Sequence, residues 1–134
     1  MKTTVHELDT DGKPFTDVTP LLRYFAAEAG GDGLVHAFVP HATAGLALIE
    51  TGSGTEEDLA SVIDGVMPPD DRWRHSHGSR GHGRDHVLPA WLTPSVVVPV
   101  LGGAPALGTW QSLVLVDTNR DNPRRSLRLS FVSG

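Results

Sequence analysis

Between Thr55 and Pro69 the chain admits one local structure, and that structure limits what the rest can become. Leu59, Val62, Ile63 and Val66 stand at i, i+3, i+4 and i+7, the spacing that gathers apolar side chains on one side of an α-helix. Thr55 is a capping residue type, Glu56, Glu57 and Asp58 suit the positive N-terminal end of a helix, and Pro68-Pro69 forbids a further turn. The helix they open thus explains the three carboxylates without any catalytic role. An earlier helix is expected from a cap at Thr19, with Pro20 in its first turn. Leu21, Leu22, Phe25 and Ala29 form its apolar side, and Gly30-Gly31 ends it.

The remaining patterned segments read as strands. Thr3 to Leu8 is a plausible edge strand before a turn at Asp9 to Pro14. Leu34 to Val39, the apolar run Val96 to Val100, Trp110 to Val116, and the alternating Ser126 to Phe131 follow. A short helical turn is expected near His86 to Leu92. The small residues between His41 and Glu50 allow another backbone or a ligand to approach closely. No regular strand-helix-strand rhythm and no glycine-rich phosphate fingerprint are present. The expected fold is therefore α+β, a mainly antiparallel sheet or sandwich with two principal helices. At 134 residues with no linker, residues 1–134 are expected to form a single domain.

Composition narrows the chemistry. A net charge of −5 offers no general basic field for nucleic acid, so no nucleic-acid partner is expected. The absence of cysteine leaves His, Asp, Glu and water as metal ligands. Neither a leader nor a membrane-spanning segment is legible, and a cytoplasmic location without a membrane partner is the expectation. Four of the seven histidines, His75, His77, His82 and His86, fall in a segment loosened by Gly78, Gly81 and Gly83. Imidazole is a common ligand for zinc and related ions, so this segment points to metal binding, against the plainer alternative of a mobile surface loop.

Taken in order, His41-Ala-Thr-Ala44, Glu50, Arg74-His75, the stretch from His86 to Ser95 and Gly108-Thr-Trp-Gln111 resemble the YjbQ family of small bacterial and archaeal proteins. The resemblance runs over most of the chain from His36 onward, and the order and spacing of the motifs carry it. It implies an α+β homotrimer with a polar pocket in which His41, His75 and His86 hold a divalent metal. Zinc is the first expectation, and magnesium the alternative for a phosphoryl substrate. Glu50 would act beside the metal as a general base or orienting carboxylate. Thr109 and Gln111 would line the pocket, and Arg120, Arg124 and Arg125 would contact phosphate, unless these arginines pair with Asp117 and Asp121. Trp110 reads as packing or interface.

His77 and His82 match no family position and are expected to be solvated, while His6 and His36 read as half-buried strand residues. Ile49 and Thr51 replace the family's usual asparagines, Ser53 replaces an acidic residue, and Gly81 to Arg84 replace acidic or amide residues. The resemblance implies thiamine-phosphate synthase activity, joining a pyrimidine diphosphate to a thiazole phosphate with loss of pyrophosphate. The alternatives are a metal-dependent hydrolase and a non-catalytic binder of a small phosphorylated molecule.

Overall fold

The computed structural model describes residues 1–134 as eight strands and three helices. In chain order these are β1 Lys2–Asp9, β2 Phe15–Asp17, α1 Thr19–Ala29, β3 Gly33–Phe38, β4 Ala44–Ile49, α2 Thr55–Val66, α3 His82–Asp85, β5 Ser95–Leu101, β6 Ala104–Pro105, β7 Ser112–Asp117 and β8 Arg124–Ser133. A single 3₁₀ turn, Leu88–Ala90, lies between α3 and β5. The fold is α+β, and every strand pairing is antiparallel. One sheet has the order β1-β8-β3-β5-β6 and the other β2-β7-β4.

Strand β7 explains how the layers fit. Its run Leu113-Val-Leu-Val116 is apolar at every position because both faces are buried. Leu113 and Leu115 join Leu22, Phe25, Val98, Leu127 and Leu129 in the main core between the two sheets and α1. Val114 and Val116 point the other way, onto Ile63 from α2, Met67 just after it and Leu88 from the 3₁₀ turn. Among the small residues of β4, Gly45 permits the close approach that the sequence suggests. A Cβ there would stand 1.8 Å from the Leu92 carbonyl oxygen, so the approaching group is the chain's own backbone.

Several local expectations are corrected. Thr19 lies inside α1 and does not cap it, because Leu113 N–H donates to its Oγ1 at 2.8 Å. Gly54, at φ +90°, takes the cap position expected for Thr55. On α2 only Ile63 is buried, and Val62 and Val66 are exposed beside the exposed Trp91. Trp110 precedes β7 in a turn and is 72 % exposed, so it does not fill the core. The outer face of the larger sheet is likewise uncovered. Leu34, paired with Val132, is exposed there, as are Val132 itself and Val97. No helix is long and apolar enough to cross a membrane.

Candidate metal centre

Glycine bends the segment after α2 back on itself. Gly78 and Gly81 adopt φ of +79° and +80°, where residues with a Cβ are strained. A Cβ on Gly83 would stand 2.2 Å from the His75 carbonyl oxygen, so only glycine lets α3 lie against that backbone. His82 opens α3 and His86 follows it in helical conformation, an i, i+4 pair that shares one side of the turn. His75 and His77 reach the same point from the irregular residues facing them.

The four imidazoles converge. One ring nitrogen from each of His75, His77, His82 and His86 lies within 4.8 Å of all the others. His75 Nε2 and His77 Nε2 are 2.5 Å apart, and His82 Nε2 and His86 Nε2 are 3.0 Å apart. A tetrahedral cation with nitrogen ligands at about 2.0–2.1 Å would set them about 3.3–3.4 Å apart. That separation falls within the 2.5 Å to 4.8 Å span found here, so the donor set fits such an ion once the exposed His75 and His77 rings move slightly apart. Four nitrogen lone pairs in so small a volume repel one another unless protons or a cation lie between them. Extra protons are disfavoured. Desolvation among the rings, then repulsion from the neighbouring imidazoles, holds His75 and His86 below the ordinary imidazole value.

The far side of His82 carries two carboxylates. Its Nδ1 is buried with no hydrogen-bond partner, 3.3 Å from Asp121 Oδ2 and 3.7 Å from Asp85 Oδ2. If Nε2 faces a cation, Nδ1 carries the ring proton, and these oxygens stand ready to accept it. Asp121 Oδ2 also accepts from Ser79 N–H at 2.9 Å, tying the histidine segment to the β7–β8 connection, and this bond holds its carboxyl below the usual range. Asp85 Oδ1 accepts from the Thr118 hydroxyl at 2.5 Å. Burial raises the Asp85 carboxyl, against the opposing pull of Thr118, Arg84 and His82.

Of the residues expected from sequence, His75 and His86 meet in this cluster and His41 does not. His41 Nε2 instead accepts from Ser126 N–H at 2.8 Å, and burial followed by the Arg125 charge lowers its pKa. Glu50 is exposed just beyond β4 and stands outside the cluster. Gln111 Oε1 accepts from Gly108 N–H at 2.8 Å, closing its own turn, and neither Thr109 nor Gln111 lines the clefts beside the histidines. The Arg125 guanidinium is buried, donating to Asp117 Oδ2 at 2.5 Å and Thr43 Oγ1 at 3.2 Å, which is the pairing alternative. Arg124 is exposed at the start of β8, paired in register with Asp9. The solvated reading of His82 is corrected, since it is 7 % exposed, whereas His77 is exposed as expected but joins the cluster.

The architecture and the sequence have close counterparts. A family model described as UPF0047 protein YjbQ-like matches residues 4–134. The chain belongs to the YjbQ-like UPF0047 family. A UPF0047 protein of Mycobacterium tuberculosis is 59 % identical over 134 residues, covering 100 % of both chains. Another from Archaeoglobus fulgidus is 33 % identical over 94 residues, covering 70 % of this chain and 74 % of that one. Among solved structures, a hypothetical protein of Aeropyrum pernix superposes with a TM-score of 0.88 at 29 % identity, covering 100 % of both chains. A YjbQ/UPF0047 protein of Clostridium acetobutylicum gives a TM-score of 0.85 at 24 % identity over 96 % of this chain and 99 % of that one, a likeness of fold. The YjbQ-like fold thus places the histidine cluster beside the small sheet, on the segment joining α2 to β5.

Proposed function

We propose that this YjbQ-like protein works around a divalent transition-metal cation, zinc first, held by His75, His77, His82 and His86. The observation that supports this reading is the convergence of four imidazole nitrogens within 4.8 Å of one another. An all-nitrogen donor set suits zinc and its neighbours and is poorly matched to magnesium, which prefers oxygen. Four imidazoles close a tetrahedral shell, so the bound ion would supply Lewis acidity to a substrate oxygen only by taking it as a fifth ligand or in place of one of the two exposed imidazoles. His82 and His86 form the inner, helix-borne half of the site, with Asp85 and Asp121 behind His82. His75 and His77 are the exposed half, from which substrate would approach.

The reading extends to a small phosphorylated substrate and to a homotrimer, both implied by the family resemblance. Thiamine-phosphate formation is the first activity to assay, with metal-dependent hydrolysis and simple binding as the outcomes that would replace it. The uncovered apolar face around Leu34, Val97 and Val132 supplies a surface for self-association.

Metal content per chain is the test. Untagged protein purified without metal columns is analysed for elements, alongside a His75→Ala, His86→Ala double variant. Near-stoichiometric metal that vanishes in the variant supports the proposal. Absent metal, or metal that the variant retains, overturns it.

A further inference from the structure

Beyond the metal centre, a second cleft brings Arg120, already a candidate for phosphate contact, together with Arg80 and Arg84, for which the resemblance implies no role. A cleft of about 360 Å³ opens beside α3, lined by Ser79, Arg80, Arg84, Asp85, Thr118 and Arg120 together with Pro69 and Gly81, and no hydrophobic residue faces it. The chain as a whole carries −5, yet three guanidinium groups here face one buried carboxylate. Asp64 and Asp71 meet Arg84 and Arg80 from outside the lining, so the donors rather than a net charge distinguish the cleft.

The three arginines differ in what they supply. Arg84 is 8 % exposed and held rigidly. Its Nη1 donates to Asp64 Oδ1 at 2.6 Å and to Met67 O at 3.0 Å, and its Nε lies 3.5 Å from Asp85 Oδ1. These carboxylates offset its charge but leave Nη2 with no protein partner, so Arg84 contributes a fixed donor more than net charge. Arg120 makes no ion pair, and Arg80 reaches Asp71 only at 3.8 Å with both side chains about three-quarters exposed (75 % and 74 %). Those two charges remain available to a ligand.

We propose that this cleft binds the phosphate group of a small molecule, with Arg84 as the preorganised donor and Arg80 and Arg120 closing on the charge. A guanidinium fork matches phosphate oxygens better than a single carboxylate, and a wall whose side chains are mainly polar and charged offers little to the rest of a hydrophobic ligand. The site stands independently of the metal, although Asp85 touches both: one oxygen meets Thr118 and the other faces His82 Nδ1.

Calorimetric titration of inorganic phosphate into the purified full chain at low ionic strength tests this, with acetate as a parallel titrant. The expected result is saturable phosphate binding near one per chain and at least tenfold weaker acetate binding. Arg120→Ala and Arg80→Ala should each weaken phosphate about tenfold, a loss of about 1.4 kcal/mol. Arg23→Ala, an exposed arginine on α1, should change nothing. Phosphate binding that survives chelation supports the cleft whether or not the metal reading holds. Binding abolished by chelation places the anion on the metal and overturns the proposal. Equal loss in Arg23→Ala marks an adventitious surface ion only, and overturns it too.

Discussion

His82 is the residue on which the metal centre turns, because it alone of the four has both ring nitrogens inside the protein's polar framework. Its Nε2 faces His86 and its Nδ1 faces Asp121 and Asp85. Carboxylates behind a ligating histidine fix its tautomer and raise its basicity, and their loss costs about 10–100-fold in metal affinity. Asp121→Asn should therefore weaken zinc binding by about that factor in competition with a chromophoric chelator, while the protein stays folded. Equal affinity in the variant would remove Asp121 from the site. Protons compete for the same nitrogens. Folding holds His75 and His86 below the ordinary value of 6.5, so the folded state binds fewer protons than the unfolded chain. Their contribution to stability is fully present above about pH 6.5 and is lost as pH falls through the lowered values. Asp85 acts oppositely. Its raised carboxyl favours the folded state below its ordinary value of 3.8, and that contribution is lost as pH rises through the folded value. The melting temperature of chelator-treated protein should thus fall between pH 7 and pH 5, a drop that a flat profile would contradict.

The elements show what a sequence reveals and what it hides. Strands β1, β3, β5 and β8 and helices α1 and α2 lie close to where alternation, helical spacing and the Gly30 and Pro68 stops put them. Strands β2 and β6 span only three and two residues, too few for a periodicity to register. The Thr55 cap fails because Gly54 reaches a left-handed backbone at no steric cost. In the histidine segment, the i, i+4 spacing of His82 and His86 is a legible sign that both share a helical side, and matching to a family pattern passes over it. What no local pattern shows is that His75 and His77 fold back to face them, since that depends on a packing contact between Gly83 and the His75 carbonyl. Gly83→Ala forces a Cβ to within 2.2 Å of that oxygen and should separate the two halves of the cluster. The expected cost is about 1–3 kcal/mol of stability together with loss of stoichiometric metal. Wild-type metal content in this variant would show that the halves meet by another route.

At the scale of the whole molecule, the sheet face bearing Leu34, Val97 and Val132 is apolar and uncovered by any element of the chain. Sedimentation of the wild type should give the mass of three 14.3 kDa chains, and a Leu34→Glu, Val132→Glu variant should sediment as one. A monomeric wild type would end the trimer reading. The doubly buried strand β7 has a different consequence. Its alternate side chains belong to two cores, so neither layer can open without stripping one face of the same strand. Residues 113 to 116 should hold the slowest-exchanging amide hydrogens in deuterated solvent, released only when the entire molecule unfolds. The histidine segment, tied down through Asp121, Asp85 and Arg84 and belonging to neither core, should exchange sooner, through local opening.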